Sequence, residues 1–300
     1  MMAQVRRLVW YSWRPIAERA ARAYVAGPEL ADALQVCHAL ARRGTATSIC
    51  PWDGEGDTPR QVADWYLAAL AGLVGAGLDC YLTIKAPALG FSHDLLGELL
   101  EAARPHAVGI HFDSLAPETA EQTWVLVRAA VLCRARVGCT LPARWQRSLR
   151  DADEAVDLGL RVRIVKGQWT DRGAGTNLSD SGVRDRFLAV VRRLAGRASR
   201  VLVATHDVAL ARAALACLRA AGTDCELELL FGLPDRTLLG VARAAGVPVR
   251  VYVPYGRAWL PYCLSQVRQH PRILWWTMRD WLLGRRRPDG MRYPGASPRG

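Results

Sequence analysis

Two lysines, Lys85 and Lys166, are the residues whose type and position most suggest chemistry. Lysine and arginine total 40, and because only these two are lysines, 38 are arginines. The chain therefore uses arginine wherever a general positive charge suffices. A lysine places a compact ammonium on a flexible stem, which fits a tight site that a planar guanidinium does not. Each lysine ends a short apolar run, so both are predicted to lie at strand ends.

Other polar side chains also lie within or just after apolar runs, and they include acids, an arginine, an imidazole and a phenol. They are Asp113, Arg163, Thr205, His206, Glu226, Glu228 and Tyr252. In α/β barrels the chemistry takes place at the carboxyl ends of the strands. If the runs are parallel strands of one barrel, these side chains should share a cavity with the two lysines.

Eight short apolar runs rich in β-branched residues alternate with helical patterns. The predicted strands are Thr45–Cys50, Cys80–Lys85, Ala107–Phe112, Arg136–Leu141, Arg161–Lys166, Arg200–Ala204, Cys225–Leu230 and Val249–Val253. Helical spacing of apolar residues lies between them, for example over Gln61–Leu73 and Val208–Leu218. Apolar strands alternating with helices are typical of parallel strands covered on both faces. Eight such units favour an α/β fold of the closed (β/α)₈ TIM-barrel type.

Two helical patterns, over Arg14–Ala26 and Pro28–Arg42, precede the first strand. They predict an N-terminal helical extension over residues 1–44, followed by a barrel over residues 45–284. Residues 285–300 are rich in arginine, proline and glycine and are predicted to form a disordered basic tail.

The composition argues against several classes of protein. No apolar run reaches the ~18 residues that a membrane span needs. The net charge of +12 comes without a zinc finger or another nucleic-acid-binding motif, so no nucleic-acid partner is predicted. Eight cysteines without a CxxC pair predict buried thiols in a reducing, cytoplasmic compartment, and no metal site.

Seven segments resemble motifs of the proline dehydrogenase family and follow the family's order. They are WDGE at Trp52–Glu55, LTIKAPALG at Leu82–Gly90, FDS at Phe112–Ser114, RVRIVKGQW at Arg161–Trp169, VATHD at Val203–Asp207, ELELLFG at Glu226–Gly232 and RVYVPYG at Arg250–Gly256. The resemblance extends to Trp276 and so covers most of the chain. It implies a barrel that holds FAD over the carboxyl ends of its strands and oxidises proline by hydride transfer.

Positions in the family motifs imply the roles of individual residues. Arg163 and Lys166 match cations that stabilise the negative charge of a reduced flavin, and with Tyr252 they are the implied catalytic residues. The alternative for the two cations is a salt-bridged strand end. Other implied cofactor-binding residues are Asp113, Thr205, His206 and Glu226. Asp113 could instead cap a helix, and Glu226 could instead form a buried ion pair.

The substrate side of the predicted site departs from the family. Lys85 matches a lysine that contacts the substrate carboxylate. Family members also carry Tyr-x-x-Arg-Arg in the helix after the last strand, where the two arginines clamp that carboxylate. Here Ser265 and Gln266 stand in place of the arginines. The other predicted substrate-binding residues are Leu230, Tyr252 and Tyr262.

Two further departures concern the cofactor, since Pro142 and Glu228 replace glutamines of the family. Three hypotheses follow. The chain could oxidise a proline-like cyclic secondary amine whose carboxylate is absent, masked or tethered to a carrier. It could oxidise L-proline itself, with Lys85, Ser265 and Gln266 binding the carboxylate. It could also be a barrel that binds FAD or another ligand and has lost the activity.

An oxidation of the amine to the imine (a pyrroline) needs an electron acceptor, for which a quinone is the predicted partner. The segment Ile273–Leu283, ILWWTMRDWLL, could bring the protein to the surface of a membrane that holds the quinone. The alternative is a core helix that packs under the barrel. The sequence therefore predicts a cytoplasmic protein, with peripheral membrane contact left open.

Overall fold

The chain forms a closed barrel of eight parallel strands. This computed structural model describes residues 25–54, 56–171, 178–233 and 235–256. The strands are β1 Ala46–Pro51, β2 Cys80–Ile84, β3 Ile110–Phe112, β4 Val137–Pro142, β5 Arg161–Val165, β6 Arg200–Ala204, β7 Cys225–Leu230 and β8 Val249–Tyr255. Strands adjacent in sequence pair in parallel, and β8 pairs with β1, so the sheet has no free edge. The predicted (β/α)₈ barrel is confirmed, and the predicted strands overlap all eight observed ones.

A helix follows each strand from β1 to β7, and one more helix precedes β1. The helices are α1 Leu30–Ala41, α2 Pro59–Ala76, α3 His93–Ala103, α4 Ala120–Leu132, α5 Ser148–Asp157, α6 Asp180–Leu194, α7 Val208–Ala220 and α8 Arg236–Ala245. Short 3₁₀ turns lie at Ala86–Leu89, Arg104–His106 and Pro117–Thr119. Among the described helices and turns, none has the length and hydropathy that crossing a membrane requires.

The ends of α2 show how local sequence sets a helix. The side chain of Thr58 accepts from the backbone N–H of Gln61, and the side chain of Gln61 caps the backbone of Thr58 in return. Pro59 follows at the first helical position, where its missing N–H costs nothing. Gly77 ends the helix with φ 62°, a left-handed conformation that glycine adopts without strain. The helix thus begins and ends where it can pack between β1 and β2.

The N-terminal prediction is only partly testable in the described residues. Val25 and Ala26, the last two residues of the predicted helix Arg14–Ala26, are not helical. The N–H of Ala26 instead donates to the carbonyl of Pro254 in β8 at 2.9 Å, so this segment lies against the end of that strand. The rest of that helix, the segment Ile273–Leu283 and the tail over 285–300 lie outside the described residues.

The two faces of the strands differ in polarity. Side chains alternate along a strand, so Leu227 and Leu229 of β7 face the helices and belong to the hydrophobic core. Glu226 and Glu228 face the barrel interior, and both are 2% exposed. Cysteines also join the packing: Cys37, Cys50, Cys80, Cys139 and Cys225 are buried and free, as predicted, whereas Cys133 is exposed.

A lower layer of charges fills the barrel towards the amino ends of the strands. Arg250 donates from Nε to Glu226 at 2.7 Å and from Nη2 to Asp79 at 3.1 Å, just before β2. Arg161 lies beside this pair with its guanidinium carbon 3.8 Å from the centre of the Tyr81 ring. The Nε and Nη2 atoms of Arg161 are buried and have no hydrogen-bond partner among the described residues. Burial therefore lowers the pKa of Arg161, in contrast with that of Arg250, which its acids raise.

We expect Arg250→Met and Arg161→Met to differ in their effect on the free energy of unfolding. Arg250→Met leaves Glu226 buried without its main cation, and removal of one partner of a buried pair costs about 3–5 kcal/mol. Arg161→Met removes a buried charge that makes no hydrogen bond, so we expect no loss or a small gain in stability. Guanidinium chloride titration of both variants measures the two effects. Equal losses would contradict the difference in pairing.

Candidate active site

Arg163 lies at the centre of the barrel, where β5 presents it to acids on two other strands. Its side chain is 3% exposed. Nε and Nη2 donate to the two oxygens of Glu228 on β7 at 2.5 and 2.8 Å. Nη1 donates to Oδ1 of Asp113, just after β3, at 2.9 Å. A guanidinium and a carboxylate that share two parallel hydrogen bonds form one of the strongest ion pairs in proteins.

Hydroxyl groups complete the hydrogen bonding around this ion-pair cluster. Ser48 donates to Glu228 at 2.8 Å, and Thr140 donates to Asp113 at 3.2 Å. Tyr252 donates its phenol proton to Oδ2 of Asp113 at 3.1 Å, and its ring centre lies 5.1 Å from the guanidinium carbon of Arg163. Burial, followed by the charge of Asp113, raises the pKa of Tyr252 well above its ordinary value. The phenol therefore stays neutral and keeps donating.

The ion-pair cluster rules out one of the two roles predicted for Asp113, that of a helix cap. The helix after β3 begins at Ala120, its N-cap is Thr119, and a 3₁₀ turn separates both from Asp113. The interpretation of Asp113 as a helix cap is therefore wrong, because its oxygens accept from Arg163, Thr140 and Tyr252 instead. Three of the predicted site residues, Asp113, Arg163 and Tyr252, lie in direct contact.

Lys85 follows β2 and points into the same end of the barrel. Its ammonium donates to Asp53, which follows β1, at 2.6 Å, and lies 5.8 Å from the centre of the Trp52 ring. Burial alone would lower the pKa of Lys85, but nearby acidic groups, Cys50 and Asp53 first among them, raise it. The ammonium is therefore charged and already engaged with an acid of the chain.

Lys166 follows β5 and contacts acids on the next βα unit. Its ammonium donates to Asp207 at 3.1 Å and to Asp180 at 3.4 Å. Asp207 also accepts from Nε of Arg184 and, as the N-cap of α7, from the backbone N–H of Leu210 at 3.1 Å. Helix N-termini favour anions such as phosphates, and here the carboxylate of Asp207 already occupies that place and partly neutralises it.

We use "barrel mouth" for the carboxyl end that Lys85, Asp113, Lys166 and His206 surround. Both lysines lie there, as the sequence predicted. Thr205 accepts from the N–H of Asp207 at 3.2 Å. His206 accepts at Nε2 from the N–H of Leu230 at 2.9 Å, which brings a predicted cofactor residue against a predicted pocket residue.

A tight turn after β5 fixes the path of the chain beside Lys166. Gly167 has φ 86°, and a Cβ at this position would lie 2.8 Å from Cβ of Pro142. Arg144 donates from Nε to the carbonyl of Gly167 at 3.3 Å. The ring of Pro142 therefore occupies the space beside this turn.

Glu226 is the predicted cofactor residue that the structure does not bring to the barrel mouth. It lies in the lower layer, where it accepts from Arg250 at 2.7 Å and from Arg200 at 3.0 Å. The alternative of a buried ion pair describes these contacts. The role of Glu226 in binding a cofactor stays a prediction. Its position in the lower layer, away from the barrel mouth, does not favour that role. Tyr262, Ser265 and Gln266 lie outside the described residues.

Sequence reasoning missed three partners of the predicted residues. Asp53 was passed over as part of a motif, although it forms the ion pair with Lys85. Ser48 and Thr140 lie inside apolar runs, where short hydroxyl side chains carry no signal of function. Their alignment with Glu228 and Asp113 follows only from the register of neighbouring strands. No alternation of polar residues could have revealed them, because Ser48 directly follows Thr47 in β1 and Thr140 lies between Cys139 and Leu141 in β4.

The barrel mouth suits an anionic aromatic cofactor in the type of its side chains. It contains the buried guanidinium of Arg163 and the partly exposed ammonium of Lys166. Thr205 and His206 add a hydroxyl and an imidazole, and Tyr252 adds a neutral phenol. Chemically, fixed cations of this kind stabilise negative charge that develops on a ligand. The described residues contain no group of three or more His, Cys, Asp or Glu side chains that could hold a metal ion.

The charge of Asp207 should make stability depend on pH. Burial opposes the ionised form, but the N–H of Leu210 and the cations Arg184 and Lys166 outweigh it and hold the pKa of Asp207 below its ordinary value. A depressed pKa gives stability that is present above the unfolded pKa of about 4 and is lost as pH falls through the folded pKa.

We therefore expect Asp207→Asn to cost about 1–2 kcal/mol at neutral pH, because the amide keeps the cap but loses the charge. The difference from the unchanged protein should shrink as pH falls below about 4. Urea titrations from pH 7 to pH 3 would measure it, with Asp64→Asn, an exposed acid on α2, as control. A difference that does not change with pH would rule out this role of the charge.

Comparison with known proteins confirms the resemblance that the motifs predicted. No family model matches the chain. A protein named proline dehydrogenase from Deinococcus radiodurans is 27% identical over 300 residues, which covers 94% of this chain and 94% of that protein. Proline dehydrogenase 1 of Bacillus subtilis subsp. natto is 25% identical over 263 residues, covering 84% of this chain and 87% of the relative.

Solved structures agree on the fold. Proline utilization A (PutA) from Bdellovibrio bacteriovorus matches with a TM-score of 0.71 at 13% identity over 84% of this chain. PutA from Corynebacterium freiburgense matches with a TM-score of 0.69 at 16% identity over 99% of this chain. The matches span 33% and 36% of those longer proteins. The chain is therefore similar over most of its length to proteins named proline dehydrogenase and shares its barrel fold with part of PutA.

Proposed function

We propose that this chain is a flavin-dependent dehydrogenase that oxidises L-proline or a proline-like cyclic secondary amine to the imine. The observation that carries the proposal is the contact of Arg163, Asp113 and Tyr252 at the barrel mouth, beside both of the chain's lysines. Similarity to relatives named proline dehydrogenase over 84–94% of the chain supports it.

FAD, when bound, supplies the acceptor for the hydride that leaves the ring carbon beside the amine nitrogen. The residues that would hold it are Arg163 and Lys166, with Asp113, Thr205 and His206 around them. Arg163 and Lys166 would supply positive charge near a bound flavin, which would lower the cost of its reduction. Both cations already have acidic partners, so their positions are set before a ligand arrives.

The substrate needs little acid–base help from the chain. Hydride leaves the ring carbon only when the nitrogen lone pair is free, so the amine must be neutral as it reacts. The iminium that forms then loses its N–H proton to water and becomes the imine. Tyr252 stays neutral and donates its phenol proton in a hydrogen bond to Asp113. It can therefore serve as a fixed wall of the pocket without exchanging charge with the substrate.

A complete cycle also needs an electron acceptor. We propose a quinone, because two electrons must leave the reduced flavin and a quinone accepts both, and because the sequence of Ile273–Leu283 is suited to contact with a membrane that holds it.

The function is tested by purifying the full chain and following its visible absorbance without oxygen. We expect a yellow protein whose colour is lost when L-proline or a neutral derivative such as L-prolinamide is added. A protein that carries flavin but is bleached by none of a panel of cyclic amines would contradict the oxidation. A protein without affinity for FAD would contradict the cofactor as well.

Lys166→Met should weaken FAD binding by about tenfold or more, because one charge-assisted contact to an anion contributes on the order of 1.5–3 kcal/mol. Arg60→Met is the matched control, since Arg60 is an exposed cation on α2 that also pairs with acids. Flavin fluorescence during titration measures the affinity. Equal affinities for the two variants would remove Lys166 from the cofactor site.

Glu228→Gln tests the charge of Arg163 on a bound flavin. The amide can keep a hydrogen bond but no longer cancels the guanidinium charge, so the flavin midpoint potential should rise by about 30 mV or more. Spectroscopic redox titration measures the shift, with Glu98→Gln, an exposed acid on α3, as control. An unchanged potential would mean that Arg163 does not act on the flavin.

A further inference from the structure

Lys85 and Asp53 form a partly exposed ion pair at the barrel mouth. The two side chains are 14% and 28% exposed, and their charged atoms lie 2.6 Å apart. The backbone N–H of Lys85 also donates to the phenol oxygen of Tyr66, a fully buried residue, at 3.1 Å. Lys85 is therefore anchored at its backbone, and its ammonium already donates to an acid of the chain.

The other two predicted cations of the barrel mouth are engaged in the same way. Arg163 uses three of its nitrogen-bound donors on Glu228 and Asp113, and Lys166 donates to Asp207. Arg144, in the loop after β4, donates to a backbone carbonyl beside Lys166. A free carboxylate that approached Lys85, Arg163 or Lys166 would have to compete with an acid of the chain.

A substrate carboxylate could bind Lys85 either by displacing Asp53 or by sharing the ammonium with it, and both arrangements are unfavourable. If the substrate carboxylate displaced Asp53, that acid would lose its cation in a partly buried position. If both carboxylates shared the ammonium, two like charges would lie within a few ångströms. An uncharged carboxamide avoids both costs, because its oxygen can accept from Lys85 while its N–H can donate to Asp53.

We propose that Asp53 is a specificity-determining residue that selects a substrate whose group beside Lys85 is uncharged. The substrate class is a pyrrolidine-type cyclic amine with a carboxamide, an ester or no substituent on the carbon next to nitrogen. This rests on the proposed function for the identity of the ring, and it narrows that function from free L-proline to its neutral derivatives.

Binding of two ligands that cannot be oxidised tests the proposal without turnover. Cyclopentanecarboxylate and cyclopentanecarboxamide have the ring size of the substrate but lack its nitrogen. Calorimetry with the purified full chain should show the carboxamide binding about tenfold or more tightly than the carboxylate, a difference of about 1.4 kcal/mol. Asp53→Asn and Asp53→Leu should each tighten carboxylate binding by about tenfold. Asp53→Asn keeps an oxygen that accepts from the carboxamide and should change carboxamide binding far less, whereas Asp53→Leu removes this acceptor and should weaken it.

Asp64→Asn is the matched control, because it removes the same charge from an exposed pair on α2 and should leave both affinities unchanged. Equal or tighter binding of the carboxylate by the unchanged protein would overturn the proposal. So would a ratio that Asp53→Asn does not alter, or binding of neither ligand. If the ratio shifts as expected but no cyclic amine bleaches the flavin, the oxidation fails while the selectivity of Asp53 stands.

Discussion

The guanidinium of Arg163 is enclosed inside the barrel and finds its acceptors there, and this pairing fixes the arrangement around it. A buried charge without a partner costs several kcal/mol, so the acids that face it are as necessary as the arginine itself. Arg163 on β5 therefore needs Glu228 on β7 and Asp113 after β3 at matching heights. Ser48 donates to a Glu228 oxygen that also accepts from Arg163, and Tyr252 donates to the second oxygen of Asp113, which ties β1 and β8 to the same point.

The same requirement separates the charge of the interior from that of the surface. Among the described residues of the barrel interior, three arginines lie near three acids. They are Arg161, Arg163 and Arg250, and Asp113, Glu226 and Glu228. The excess of +12 is therefore carried by the other residues of the chain. An arginine-rich composition consequently says little about the field that a ligand meets at the barrel mouth, since that field depends on which arginines have acids beside them.

Much of the fold and part of the site could be predicted from the sequence, for a physical reason. Parallel barrel strands are short and apolar on the helix-facing side, and residues that end them must lie on one rim, so Lys85 and Lys166 could be placed together. Depth was harder to predict. Glu226 and Glu228 are two residues apart, which is a rise of about 7 Å along a strand. This distance separates the lower layer from the cluster around Arg163.

Partners across strands could not be predicted from local pattern. Asp53 and Lys85 are 32 residues apart, and they meet only because the loops after β1 and β2 converge. The helix cap proposed for Asp113 was plausible from Ser114 and the helical pattern that follows. The structure excludes this cap because the oxygens of Asp113 accept from donors on β4, β5 and β8 instead.

Asp207 accepts hydrogen bonds from three residues, so the contacts around it do not depend on a single ion pair. An anion that drew Lys166 away would leave the carboxylate with Arg184 and with the N–H of Leu210. The first turn of α7 would keep its cap, and the link between β5 and its neighbouring unit would weaken without breaking. Loaded and empty forms can therefore share the same scaffold, so that Lys166 is able to change partners while the wall around it stays in place.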